Sequence, residues 1–341
     1  MESEPAVESE SAIALEDDRE INGRRGRTFE VRVPASTSNL GAGFDCFGLA
    51  LQLYLTVRAT IVSGASEPCR VRILGEREGE RQALPRTADN LIFRAMQLAA
   101  EREGLSLPTL RLAVHNELPL GRGLGSSAAA IIAGITLCSL VCEREITEQN
   151  ALRYALEMEG HADNIAPALY GGWVVTCPKP GGDVVAVKRD WPPDIKVIVV
   201  SPHAPLNTAL ARSALPATIE LEDAVYNIQR AALFGAALET GAYDLLWEAM
   251  QDRVHQAYRK PFVRGLSEAL ATPKQPGLLG LAMSGAGPSV IALAGDHFRE
   301  IGEAIAERFR LCGTETTTRL LDVDTEGRKM KILKRPRAVK R

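Results

Sequence analysis

The chemistry-bearing stretch of this 341-residue chain is Pro119-Leu-Gly-Arg-Gly-Leu-Gly-Ser-Ser-Ala-Ala129, running straight into the apolar, small-residue segment from Ala130 to Val141. It reads as an anion cradle. Gly121, Gly123 and Gly125 permit positive φ and close backbone approach, while Ser126 or Ser127 can cap the following helix and aim its free N–H groups outward. A polyphosphate fits that geometry. Two more loops of small and polar residues accompany it, at Pro34 to Gly48 and Ser284-Gly-Ala-Gly-Pro-Ser289, and three such loops exceed what turn chemistry needs. The cradle is not a Walker A loop, because no lysine follows its last glycine. It is not a dinucleotide fingerprint either: Gly121-Arg-Gly-Leu-Gly125 lacks the GxGxxG spacing, and no acid-ended strand follows about 20 residues on.

The elements that must position these loops are legible in part. Alternation predicts strands at Phe29 to Val33, Leu51 to Val57, Val71 to Leu74 and Arg111 to Asn116, and a buried strand at Ile195 to Val200. Thr87 or Asp89 is expected to cap a helix running through Arg102 and stopping at Gly104. Thr147 is expected to cap a helix ending near Glu159, followed by the loop Gly160-His-Ala-Asp-Asn-Ile-Ala-Pro167. A strand through Cys177 and a tight turn at Pro178 to Asp183 follow, and Pro192-Pro193 marks a domain boundary. Helices are predicted at Ile219 to Thr240, Tyr243 to His255 and Asp296 to Arg310, with two apolar strands around the 284–289 loop. Strands and helices do not alternate as in a doubly wound sheet, so the fold class is α+β.

Charge is distributed unevenly. Residues 1 to 20 hold eight acids against one arginine, and Arg328 to Arg341 hold eight basic residues and no acid. With tails of −7 and +8 set aside, the body carries −4 of the net −3, which offers no basic surface for nucleic acid. The first 27 residues are expected to be a disordered acidic leader and residues 326–341 a frayed, solvated basic tail. No apolar run approaches the roughly 20 residues of a membrane span, and the acidic start is unlike a secretory signal, so a cytoplasmic protein without membrane contact is expected. The six cysteines show no CxxC pair and are expected to be reduced thiols.

The three loops together resemble the motifs of the GHMP small-molecule kinases, in the form found in its homoserine kinase branch. Val33-Pro-Ala-Ser-Thr-Ser-Asn-Leu-Gly-Ala-Gly-Phe-Asp-Cys-Phe-Gly48 is similar to the first motif, Pro119 to Ala129 to the phosphate-binding second and Ser284 to Ser289 to the third. Glu159-Gly-His-Ala-Asp-Asn-Ile-Ala-Pro-Ala-Leu-Tyr-Gly-Gly172 is also similar. The resemblance covers about residues 28 to 325. It implies an ATP-binding α+β domain over 28–190 and a ferredoxin-like α+β domain over 191–325. The implied activity is ATP- and Mg²⁺-dependent phosphorylation of the side-chain hydroxyl of L-homoserine, on the route to threonine. A mevalonate-type kinase or a silent metabolite-binding regulator on the same fold are the competing readings. A homodimer is the expected assembly.

The same resemblance implies the site residues. Pro119, Leu120, Gly121, Arg122, Gly123, Leu124, Gly125, Ser126, Ser127, Ala128 and Ala129 would cradle the phosphates, with Arg122 facing solvent or phosphate. Asn90 either bounds the adenine pocket or caps the helix after it. Ser126 or Ser127 would hold Mg²⁺ with Glu157. Glu159 is the rival carboxylate, and two residues apart on a helix only one of the pair can face the site. Asp163 and Asn164 would lie at the reacting hydroxyl, Asp163 as orienting group or weak base, with His161 beside them. Thr208, Arg212 and Arg259 would take the substrate carboxylate, Asn39 and Asp45 its ammonium and hydroxyl, with Gly285 lining the substrate side. The run Lys260-Pro-Phe-Val-Arg-Gly265 departs from the turn that many relatives carry after the position of Arg259.

Overall fold

The computed structural model describes residues 26–63, 65–74 and 84–334. The acidic leader before residue 26 and the chain after Lys334 lie outside the described residues. The first sheet contains β1 (Thr28–Ser38), β2 (Phe47–Ile61), β3 (Cys69–Leu74), β4 (Leu110–Asn116), β5 (Trp173–Pro178) and β6 (Val184–Arg189). Strand β2 pairs antiparallel with β1 and with β4, β3 runs parallel to β4, and the β5–β6 hairpin extends from β2. The crossover between β3 and β4 is α1 (Leu91–Glu103); α2 (Ser126–Val141), α3 (Glu148–Glu159) and α4 (Ile165–Tyr170) complete this half. Helix α2 is apolar all round and buried almost end to end. Gly134 makes its approach to α1 feasible, because a Cβ there would stand 2.2 Å from the Ile92 carbonyl.

The second sheet follows Pro192-Pro193. It is built from β7 (Lys196–Pro202), β8 (Leu278–Met283), β9 (Val290–Ala294) and β10 (Thr316–Leu321), in the order β10-β7-β9-β8 and antiparallel throughout. Between β7 and β8 lie α5 (Thr208–Ser213), α6 (Leu221–Thr240), α7 (Leu246–Ala249), α8 (Gln256–Arg259) and α9 (Leu266–Leu270); α10 (Phe298–Leu311) joins β9 to β10. This β-α-β-β-α-β order is the expected ferredoxin-like arrangement. One apolar core runs through both sheets, from Val31 and Phe47 to Phe234, Met250 and Ile291, and a second cluster joins Ile198, Val200 and Leu281 of the second sheet to Ile301, Ile305 and Phe309 of α10.

Several expectations are corrected. Pro34 to Ser38 is not loop but the buried second half of β1, displaced by a bulge after Pro34, and its hydroxyls find partners across the site. Asn90, not Thr87 or Asp89, caps α1. The helix predicted over Tyr243 to His255 breaks after Ala249, because the Asp252 carboxylate accepts the N–H groups of Val254, His255 and Gln256 and starts a new turn. The C-terminal segment is not a frayed tail as far as it is described. Asp324 accepts from Tyr54 Oη at 2.9 Å and from the N–H groups of Glu326 and Gly327, turning the chain back so that β11 (Lys329–Lys334) pairs with β1. The six cysteines are unpaired. Among the described residues no helix is long and apolar enough to cross a membrane.

Candidate active site

A cleft of about 240 Å³ opens where the end of β1, the glycine loop, the N-terminus of α2, the turn after α3, α5, α8 and the 284–289 turn converge. In the glycine loop, Gly121, Gly123 and Gly125 have φ of 64°, 74° and 66°. Any side chain at Gly123 would strike the Ser284 carbonyl, 2.1 Å from an added Cβ, and one at Gly125 would strike Ser36 Oγ at the same distance. Ser284 Oγ donates to the Gly123 carbonyl at 2.6 Å, tying the second loop to the third. Gly125 itself caps α2 without a side-chain bond, which corrects the expectation that a serine does so. The N-terminus of this 16-residue helix, with no side-chain cap on its first N–H groups, thus lies at the cleft wall that Ser126 and Ser127 line, its positive dipole end available to an anion.

Within the loop, Gly121, Gly123, Leu124, Gly125, Ser126 and Ser127 line the cleft; Pro119, Leu120, Arg122, Ala128 and Ala129 do not. Ala128 and Ala129 face the core. Arg122 folds back onto the carbonyls of Leu120 and His203, and burial lowers its pKa. Asn90 lies away from the cleft, with its amide spent on capping Ile92 N and on the Pro85 carbonyl.

The carboxylate facing the cradle is Glu159. Ser127 Oγ donates to Glu159 Oε2 at 2.7 Å, whereas Glu157 turns outward to pair with Arg102, whose hydrogen bond holds it below the usual carboxylate range. The preference for Glu157 is thus overturned: Gly160 ends α3 directly after Glu159, and helical phase sends Glu157 to the opposite side. Asp163, 2% exposed, accepts from His161 Nδ1 at 3.0 Å through Oδ1. Burial alone would lower the His161 pKa; the hydrogen bond and charge of Asp163, with Glu159 and Asp45 further off, raise it. No hydrogen bond from a described residue reaches Asp163 Oδ2. Asn164 is held by Ser36 and Ser38, accepting from Ser36 Oγ at 3.0 Å and donating to Ser38 Oγ at 2.8 Å.

The opposite wall is cationic. Arg259, 2% exposed, donates to the Gly285 and Ala211 carbonyls at 3.3 Å and to His255 Nδ1 at 3.1 Å. Among the described residues no carboxylate forms an ion pair with it. Arg212 reaches Asp45 with both terminal nitrogens, at 3.1 and 2.5 Å. The turn that departs from the family's form begins after Arg259 and leaves the arginine on the cleft wall. Asn39 is not a free acceptor, since its amide donates to the Gly285 carbonyl and accepts the Asp45 N–H, both at 3.0 Å. Thr208 opens α5, and its side chain is outside what is described. Sequence reasoning missed Ser36, Ser38, Phe44 and His255, whose roles arise only through contacts across the fold.

Two family models match the chain: GHMP kinases N terminal domain over residues 90–172 and GHMP kinases C terminal over residues 224–311. Over 307 residues the chain is 39% identical to a homoserine kinase of Persephonella marina, covering 90% of this chain and 99% of that protein. The chain belongs to the homoserine kinase family. It is also 36% identical to the homoserine kinase of Saccharomyces cerevisiae, covering 88% of this chain and 98% of that protein. Among solved structures, a homoserine kinase from Cytophaga hutchinsonii superposes with a TM-score of 0.77 at 27% identity, covering 89% of this chain and 97% of that one. A Leishmania major mevalonate kinase shares the fold, with a TM-score of 0.65 at 18% identity.

Proposed function

We propose that this kinase binds ATP through the 121–127 loop and transfers its γ-phosphoryl group to the side-chain hydroxyl of L-homoserine, giving O-phospho-L-homoserine for threonine synthesis. The observation that carries the substrate is Arg259, a buried cation hydrogen-bonded only to neutral groups in the wall of an anion-cradle cleft. A buried charge calls for a partner of opposite sign, and a substrate carboxylate supplies it with bidentate geometry. Asp45 and Arg212 stand beside it as a charged pair against which an ammonium and a carboxylate both find complements. An alcohol substrate without an ammonium group leaves this arrangement half used.

The remaining residues divide the work of phosphoryl transfer, which is mostly positioning and charge neutralisation. Backbone N–H groups of the glycine loop and α2 hold the polyphosphate. Asp163, with Oδ1 fixed by His161, presents Oδ2 to the substrate hydroxyl, orients it, and accepts its proton as the oxygen bonds to phosphorus and ADP departs. Ser127 and Glu159 fit Mg²⁺: they form a hard-oxygen pair at the cradle, and a Mg²⁺ site uses one or two protein oxygens with phosphate oxygens and waters. The ion would neutralise phosphate charge there. No group of three or more metal-ligating side chains occurs among the described residues.

A coupled ADP-release assay comparing L-homoserine, L-serine, L-threonine and mevalonate at equal concentration tests the reading. Release strongest with L-homoserine is expected. Release with mevalonate and none with L-homoserine refutes it.

A further inference from the structure

Behind the cationic wall lies a titratable group that the transfer chemistry leaves unused. His255 is fully buried, and its imidazole spans two parts of the site. Nδ1 meets Arg259 Nη1 at 3.1 Å, and Nε2 meets the Gly41 carbonyl at 2.9 Å. A guanidinium only donates, so Nδ1 is the acceptor and the proton sits on Nε2, where it donates to Gly41. The tautomer is thereby determined by its neighbours. Burial lowers the His255 pKa, which keeps the ring neutral as this pattern requires.

The loop on the Gly41 side needs holding. Asn39, Leu40 and Asp45 all have positive φ, at 72°, 46° and 55°; Asn and Asp tolerate that region, but a leucine adopts it only when its surroundings compel it. Phe44 of the same loop stacks on the imidazole at 5.1 Å between ring centres, with Arg259 at 5.3 Å and Arg212 at 5.8 Å over its ring. Asp252 holds the other side by accepting the His255 and Gln256 N–H groups at 3.0 and 2.7 Å.

We infer that His255 is a positioning residue for amino-acid recognition: as a neutral Nε2–H bridge it locks Arg259 to the loop bearing Asp45, so that the groups meeting the substrate's carboxylate and ammonium move as one unit. The inference rests on the proposal that Arg259 binds the substrate carboxylate. It explains why a fully buried histidine stands beside a buried arginine, a placement that otherwise costs desolvation of both.

Steady-state kinetics of His255→Leu, His255→Asn and His255→Gln test it. His255→Leu is expected to raise the KM for L-homoserine at least about tenfold while the KM for ATP stays within about twofold. His255→Asn places an amide oxygen near the position of Nδ1 and keeps the acceptor for Arg259 but not the donor to Gly41, so it should recover only part of the loss; His255→Gln, without that acceptor, should recover none, and full recovery in His255→Asn overturns the bridge. With L-homoserine amide, which has no carboxylate, wild type and His255→Leu should converge. Equal damage to the ATP and homoserine KM values, or to the acid and the amide, overturns the inference. Should His255→Leu fail to fold, the Asn and Gln pair decides, and equal kinetics for those two overturns it. Arg259→Leu separates the two levels: an unchanged homoserine KM refutes the carboxylate proposal itself. An impaired Arg259→Leu beside a wild-type-like His255→Leu refutes only the inference about His255.

Discussion

Replacing Glu159 with glutamine removes one negative charge at the phosphate cradle while keeping the size of the side chain. Its Oε2 lies 2.7 Å from Ser127 Oγ, a hydrogen bond to a charged acceptor that contributes roughly 1.5–3 kcal/mol. Lost attraction for Mg²⁺ adds to this, and a combined loss of about 3 kcal/mol in the transition state corresponds to roughly a hundredfold in kcat/KM. Glu157→Gln is the matched comparison. That residue is 44% exposed and faces Arg102, itself 42% exposed, so the pair is screened by water and salt. Glu157→Gln should therefore leave kcat/KM within about twofold. Coupled ADP release measured across a Mg²⁺ titration reads both, and Glu159→Gln should also shift half-saturation by Mg²⁺ upward. A hundredfold loss in Glu157→Gln with a near-normal Glu159→Gln would refute the assignment drawn from the end of α3.

Three further outcomes follow from the geometry. The raised pKa of His161 places its stabilising contribution fully below the ordinary histidine value of 6.5 and removes it as the pH climbs through the folded-state value. The Tm difference between wild type and His161→Gln should thus shrink as the pH rises from about 6 to 8, and a gap independent of pH would contradict the Asp163 interaction. Gly123→Ala drives a Cβ to 2.1 Å from the Ser284 carbonyl at a φ of 74°, so it should lower both Tm and kcat/KM for ATP. Gly160→Ala, with open space around it, should show only the cost of its positive φ, about 1–2 kcal/mol; equal Tm losses would refute the steric argument. Truncation after Arg328 removes β11 and strips Met330 and Ile332 from beside Val31 and Phe29, so calorimetry should show a Tm lower by at least about 4 °C. An unchanged Tm would mean that the strand contributes nothing.

The sequence alone carried the local determinants of this protein. The glycine cradle, the helix from Ser126, the Thr147 cap, the αL stops at Gly104 and Gly241 and the paired apolar strands around Ser284 to Ser289 are all written in short-range patterns, because backbone permissiveness, capping and hydrophobic period act within a few residues. Everything set by contacts distant in sequence needed the fold. Whether Glu157 or Glu159 faces the cradle depends on the rotation of α3 against α1 and α2. Asn90 was equally suited to a cap or a pocket until the Pro85 carbonyl and Ile92 N–H claimed it. The basic segment became a strand only because Asp324 and the free edge of β1 lie together in space. Asn39 looked like a ligand group, yet the 284–289 turn consumes its amide, and His255 gained a role only where α8 meets the loop after β1. Side chains compatible with several partners are assigned one by tertiary packing, since hydrogen bonds and charge pairs are decided by which neighbours the fold brings within about 3 Å.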